Sequence, residues 1–182
     1  MNPAIPSPLG SVERVLFDAA TIAARLDEMA TEITGFYRGK PLTVLAILNG
    51  SLVFAADLLR RIPLALQLEC LSVASYHGGT ESSGTVSFLQ PHLPAVDGRH
   101  VLLLDDILDT GRTLHAVRQR LLAETSPLSV RVAVLLKKSK QREKPSEADY
   151  TGFEIEDEFV VGYGLDYQGH YRNLPEIGVL AL

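Results

Sequence analysis

The stretch from Val101 to Leu114, V-L-L-L-D-D-I-L-D-T-G-R-T-L, constrains the fold of this chain more than any other. Its first four residues are apolar without a break, so neither face of an extended strand could look onto water. Such a run reads as a strand inside a parallel sheet, covered on both sides. Three carboxylates follow within five positions, Asp105, Asp106 and Asp109. Then Thr110, Gly111, Arg112 and Thr113 make a polar turn before Leu114, Val117, Leu121 and Leu122 mark the apolar face of a helix. Thr110 is the expected cap of that helix. A helix opening there presents unpaired backbone N–H groups and hydroxyls to a phosphate. The acids sit at the carboxyl end of a strand, where open α/β sheets bind their ligands.

The rest of the chain fits around this unit. Residues 1–12 are rich in Pro and Ser and are expected to form a loose arm. Ile22, Leu26, Met29 and Ile33 recur at helical spacing, which predicts an amphipathic helix capped by Asp18 or Thr21 and ending near Gly35. Leu42–Leu48 is a buried strand ending at Asn49-Gly50-Ser51, followed by a short helix over Leu52–Arg61 that Pro63 stops. A strand is expected over Leu64–Tyr76, then a glycine-rich, mobile and exposed loop at 77–84, then a short return strand at Thr85–Leu89. Strands are also expected at Val130–Leu136, Phe159–Tyr163 and Ile177–Leu182, with a charged surface excursion at Gln141–Asp149. Strands alternating with helices predict an α/β fold, a mostly parallel twisted sheet with helices on both faces.

Composition narrows the function. With 182 residues the chain suits one domain, with about 1–40 and 164–182 expected to contribute a small hood. A formal charge of −5 argues against nucleic acid or a membrane surface as the principal partner. No apolar run approaches the roughly 20 residues that span a bilayer. The lone Cys70 excludes an internal disulfide, and the first residues lack a secretory pattern, so a cytoplasmic location is expected. The five histidines have no metal-ligand spacing with one another or with Cys70, which argues against zinc. An Asp-rich rim suits magnesium instead.

The segment around Asp105–Thr113 resembles the phosphoribosyl pyrophosphate (PRPP) motif of the type I phosphoribosyltransferases. The stretch F-V-V-G-Y-G-L-D-Y, Phe159 to Tyr167, resembles a segment of the hypoxanthine-guanine members of that family. The resemblance covers about residues 42–178. It implies that Asp105 and Asp106 meet the ribose hydroxyls and that Thr110, Gly111, Arg112 and Thr113 hold the 5′-phosphate. It implies Asp109 as general base near N7 of the purine, and Lys138 as donor to a 6-oxo group. An ammonium only donates, so Lys138 would accept a 6-oxopurine and reject adenine's amino group. Strand alternation lets only one of Lys137 and Lys138 face the site. Phe159 would stack on the base, Val160 bind it through its backbone, and Asp166, with Asp105 and Asp106, help hold magnesium, partly through water. Arg172 and the Asn49-Gly50 loop would meet pyrophosphate, and Ser75-Tyr76 would begin a closing loop.

Where the family's pyrophosphate loop often carries Lys and can hold a cis peptide, this chain has Asn49, and the Leu48–Asn49 peptide is expected to be strained. The implied reaction is purine salvage: magnesium-dependent transfer of phosphoribosyl from PRPP to hypoxanthine or guanine, in a homodimer or homotetramer. One alternative is a regulator on the same fold binding PRPP, nucleotide or RNA. The acidic balance and the presence of Asp109, Lys138 and Arg172 count against it. The string D-D-I-L-D also matches the D-D-x-x-D of isoprenyl diphosphate synthases. Those acids lie on helices of all-helical proteins, not after a V-L-L-L strand.

Overall fold

The protein is described from a computed structural model, over residues 11–75 and 86–181. Six strands make the principal sheet: β2 (Leu42–Leu48), β3 (Leu66–Ser75), β4 (Val86–Phe88), β5 (His100–Leu108), β6 (Ser129–Lys138) and β7 (Tyr150–Ile155). Their order is β4-β3-β2-β5-β6-β7, parallel throughout except β4, which returns antiparallel to β3. Helices α1 (Ala19–Tyr37), α2 (Leu52–Leu59) and α3 (Arg112–Glu124) cover it. Side chains alternate along β2: Leu42, Val44 and Ala46 join a core with α1 and α2, and Leu45 and Ile47 join another with α3. The fold is therefore α/β with helices on both faces. β5 is central because Val101 to Leu104, all fully buried, are covered from both sides.

A second sheet joins β1 (Ser11–Phe17), β9 (Ile177–Ala181) and β8 (Val160–Val161), all antiparallel. Here the sequence expectations need correction. Ser11 and Val12 belong to a strand, not to a loose arm. Its side chains are mostly exposed, so no alternation marked it. The Phe159–Tyr163 segment forms only two residues of strand, outside the principal sheet. Gly162, Tyr163 and Gly164 all have positive φ, and this turns the chain out of extended pairing. β7 was not expected; it is an edge strand of mixed polarity. α1 runs to Tyr37, two residues beyond Gly35, with Asp18 as its cap accepting from the Thr21 N–H at 2.8 Å.

The cap of α3 is Gly111, at φ +80°, rather than Thr110. An added Cβ there would also lie 2.5 Å from the Lys144 carbonyl oxygen. That close approach exists because 140–146 folds onto the turn. Glu143 and Lys144 N–H groups donate to the Thr110 carbonyl at 3.0 and 3.2 Å, and the Ser146 hydroxyl donates to the Gly111 carbonyl. The charged excursion is thus tied to the turn before α3. The 77–84 loop and Tyr76 lie outside the described residues.

Candidate active site

At the carboxyl edge of the principal sheet a cleft of about 300 Å³ gathers loops from three places in the chain. Its lining includes Asn49 and Gly50 after β2, Asp105 to Thr113 at the end of β5 and start of α3, and Asp166 and Arg172. β5 extends through the acids to Leu108, so Asp105 and Asp106 are strand residues on opposite faces. Asp105 is buried, and its carboxylate accepts from the Asp106 N–H at 3.1 Å; Asp106 accepts from the Ile107 N–H at 2.8 Å. Burial pushes the Asp105 carboxyl well above the usual carboxylate range, and the adjacent Asp106 charge adds to this. Burial raises Asp106 too.

The pH consequence has a definite sign. In an unfolded chain Asp105 would titrate near the ordinary value of about 3.9. Between there and its raised folded value, the folded protein keeps a proton that the unfolded chain has lost. Stability therefore falls as pH rises through that window. Asp105→Asn keeps the acceptor for Asp106 N–H without the charge. Without magnesium, its melting temperature at pH 8 is expected to exceed that of the unaltered protein by about 2–4 °C, equivalent to roughly 1 kcal/mol. The gain should vanish near pH 4. Scanning calorimetry across pH checks this, and a loss of stability at pH 8 would refute it.

The Leu48–Asn49 peptide is cis. The turn it begins is anchored by Ser51, fully buried, whose hydroxyl donates to the Ile47 carbonyl at 2.6 Å. Gly50 faces Asp106 so closely that a Cβ would stand 1.6 Å from its carboxylate oxygen. Across the cleft, Arg172 donates to the Gly164 carbonyl at 2.6 Å and pairs with Asp166 at 2.7 Å. Asp166 also accepts from the Gly169 N–H. Arg112, in the turn itself, is paired outward with Glu143.

Beside the cleft lies a four-membered charge cluster. Lys138 meets Asp157 at 2.9 Å and Asp109 at 3.4 Å, and Lys140 pairs with the same two carboxylates. Burial alone would lower the Lys140 ammonium, but Asp109 and Asp157 together outweigh it and hold it above its ordinary value. Lys138 is buried, whereas Lys137 turns outward to Glu154. Arg142 donates to the Asp109 backbone carbonyl at 3.1 Å. Sequence reasoning missed Lys140, Arg142 and Asp157, because nothing in a charged loop tells which of its charges folds back.

Phe159 and Val160 stand apart from the cleft lining. Phe159 is 41% exposed and meets Tyr167 edge-on, ring centres 5.4 Å apart. Val160 is buried. Ser75 ends β3 opposite Val86, and Tyr76 is outside the described residues. Among the described residues, no three His, Cys, Asp or Glu side chains are grouped to hold a metal by themselves. Among the described residues, no helix is long and apolar enough to cross a membrane.

Fold and cleft together define an open α/β protein with an acidic, phosphate-suited pocket at the carboxyl edge of its sheet. Comparison makes this specific: the phosphoribosyl transferase domain family matches residues 14–168, and the chain belongs to that family. A hypoxanthine-guanine phosphoribosyltransferase of Streptococcus pneumoniae is 43% identical over 93% of both chains. One from Staphylococcus epidermidis is 44% identical over 93% of this chain and 94% of its own. A crystal structure of a Staphylococcus aureus hypoxanthine phosphoribosyltransferase superposes with a TM-score of 0.87 at 41% identity, covering 93% of this chain and 92% of the other.

Proposed function

We propose that this protein is a purine-salvage enzyme that transfers the 5-phosphoribosyl group of PRPP to N9 of hypoxanthine or guanine, releasing pyrophosphate. The observation that carries the reading is the convergence in one cleft of Asp105 and Asp106, the Thr110–Thr113 turn, the Asn49-Gly50 loop and Arg172.

The chemistry follows from what each group can do. Two adjacent carboxylates suit the vicinal hydroxyls of ribose, and the turn with its hydroxyls and free N–H groups suits the 5′-phosphate. The guanidinium fork of Arg172 and the backbone at Asn49-Gly50 receive pyrophosphate, with Asn49 leaving more of the charge to Arg172. The base stacks on the exposed ring of Phe159, is held by the Val160 backbone, and presents O6 to Lys138. As N9 bonds to C1′, the C1′–O bond breaks and its electron pair leaves with pyrophosphate. Asp109 takes the purine proton. Magnesium fits a rim of buried, charge-crowded carboxylates lacking a complete protein cage, since it keeps waters and shares substrate phosphates. Bound there beside Asp105, Asp106 and Asp166, it would neutralise charge on the pyrophosphate. The small sheet of β1, β8 and β9 contributes the hood beside the base. The enzyme acts in the cytoplasm as a homodimer or homotetramer.

The direct test is a spectrophotometric assay with PRPP and magnesium against adenine, hypoxanthine, guanine and xanthine. Turnover of 6-oxopurines without adenine is expected, and no PRPP-dependent product would refute the reading. Lys138 has three N–H donors, so it can give one to O6 beside its pairs with Asp109 and Asp157. Lys138→Ala is accordingly expected to raise KM for hypoxanthine about tenfold, the worth of one charge-assisted hydrogen bond. An unchanged KM would remove Lys138 from base recognition.

A further inference from the structure

Behind Arg172, away from the cleft, Tyr163 joins two parts of the chain that carry the pyrophosphate end of the site. Its side chain is buried in the core shared by α1 and α2, and its hydroxyl donates to Asp57 on α2 at 2.5 Å. Asp57 also pairs with Arg60. α2 begins directly after Asn49-Gly50-Ser51, so Asp57 is fixed to the same short unit as that loop. Tyr163 heads the 163–174 segment. Its own N–H donates to the Leu174 carbonyl, and the next residue, Gly164, exchanges both backbone hydrogen bonds with Arg172: its N–H to the Arg172 carbonyl and its carbonyl to the guanidinium. Gly164 packs against the Gly50 carbonyl so tightly that a Cβ would lie 2.2 Å away. Tyr163 sits at φ +51°, a conformation side chains rarely adopt, and this aims the ring back at α2.

Resting on the phosphoribosyl-transfer reading, we propose that the Tyr163–Asp57 hydrogen bond is a clamp that sets the separation of the Asn49-Gly50 loop and Arg172. It fixes the width of the pyrophosphate end without touching substrate. Tyr163 and Asp57 are positioning residues: they act through Gly50 and Arg172. At the base end Lys138 lies on β6, outside both units that the clamp joins, while Phe159 touches the 163–174 segment edge-on at Tyr167, so the clamp acts more on PRPP than on the base.

The test is Tyr163→Phe, which keeps ring and burial and removes only the hydroxyl. Misplacing a binding group by a fraction of an ångström is costly to a preorganised site, and KM for PRPP is expected to rise about 5–10-fold. In the reverse direction KM for inorganic pyrophosphate should rise by the same factor. KM for hypoxanthine should stay within about twofold, and kcat should fall less than KM(PRPP) rises. Asp57→Ala, a second route to the same broken bond, should reproduce this pattern, and the double variant should be no worse than either. Asp57→Asn retains an acceptor for the phenol and should restore KM(PRPP) to near that of the unaltered chain. Equal changes for both substrates, or unchanged KM(PRPP) in both Tyr163→Phe and Asp57→Ala, would overturn the clamp. Absence of PRPP turnover in the unaltered chain would instead overturn the phosphoribosyl-transfer reading, and the clamp with it.

Discussion

Asp109→Asn is expected to lower kcat about 10²-fold or more while KM for PRPP stays within about threefold, the range lost when a positioned general base is removed. Asn preserves the shape of the loop after β5 and the backbone carbonyl that Arg142 holds at 3.1 Å, so the ribose and phosphate groups should stay in register. What disappears is the carboxylate that can take a proton and offset positive charge on the ribose. The same change releases Lys138 and Lys140 from one of their two acidic partners. Hypoxanthine KM should therefore stay level or fall, because Lys138 is freer to reach O6. Steady-state kinetics with each substrate varied separately checks the split. Equal losses in kcat and in PRPP affinity would make Asp109 a binding residue.

The second large effect belongs to a residue without a side chain. In Gly50→Ala the new methyl would stand 1.6 Å from the Asp106 carboxylate oxygen, so one of the two must move. The loop cannot retreat, because the Gly50 carbonyl is backed by Gly164 and the turn is pinned by the buried Ser51 hydroxyl. The Asp106 carboxylate, at the end of a flexible side chain, is expected to turn away from its present position instead. The expected result is a fall of about 10²-fold in kcat/KM for PRPP, the scale of an ångström misplacement in a preorganised site. Circular dichroism should remain native. Wild-type kcat/KM would mean that Asp106 has room that the structure does not provide.

Much of the site was readable in advance because its parts are local. The acids, the turn and the start of α3 occupy nine consecutive residues, Asp105 to Thr113, and their chemistry is written in their order. Strand alternation allowed only one of Lys137 and Lys138 to face the site and the family resemblance pointed to Lys138; the structure buries Lys138 and turns Lys137 outward. The cap of α3 was misread because Thr110 has the better capping side chain. Gly111 occupies the position because the chain must turn left-handed there, under the Lys144 carbonyl. Lys140, Asp157, Arg142 and the clamp at Tyr163 left no signal. Each matters only through a neighbour 17 or more residues away in sequence.

By itself the sequence determined the alternation of strands and helices, the burial of β5, and the kind of ligand its acidic, hydroxyl-bearing end could hold. These follow from periodicity and side-chain chemistry, which act over a few residues. Only the tertiary structure decided that β8 leaves the principal sheet, that 140–146 folds onto the turn before α3, and that Gly164 packs against the Gly50 carbonyl. Those outcomes depend on long-range packing. A Cβ added at Gly111 or Gly164 would lie 2.5 or 2.2 Å from a neighbouring carbonyl oxygen, which leaves room for glycine alone, and carboxylates find their ammonium partners only once the sheet has brought its loops to one edge.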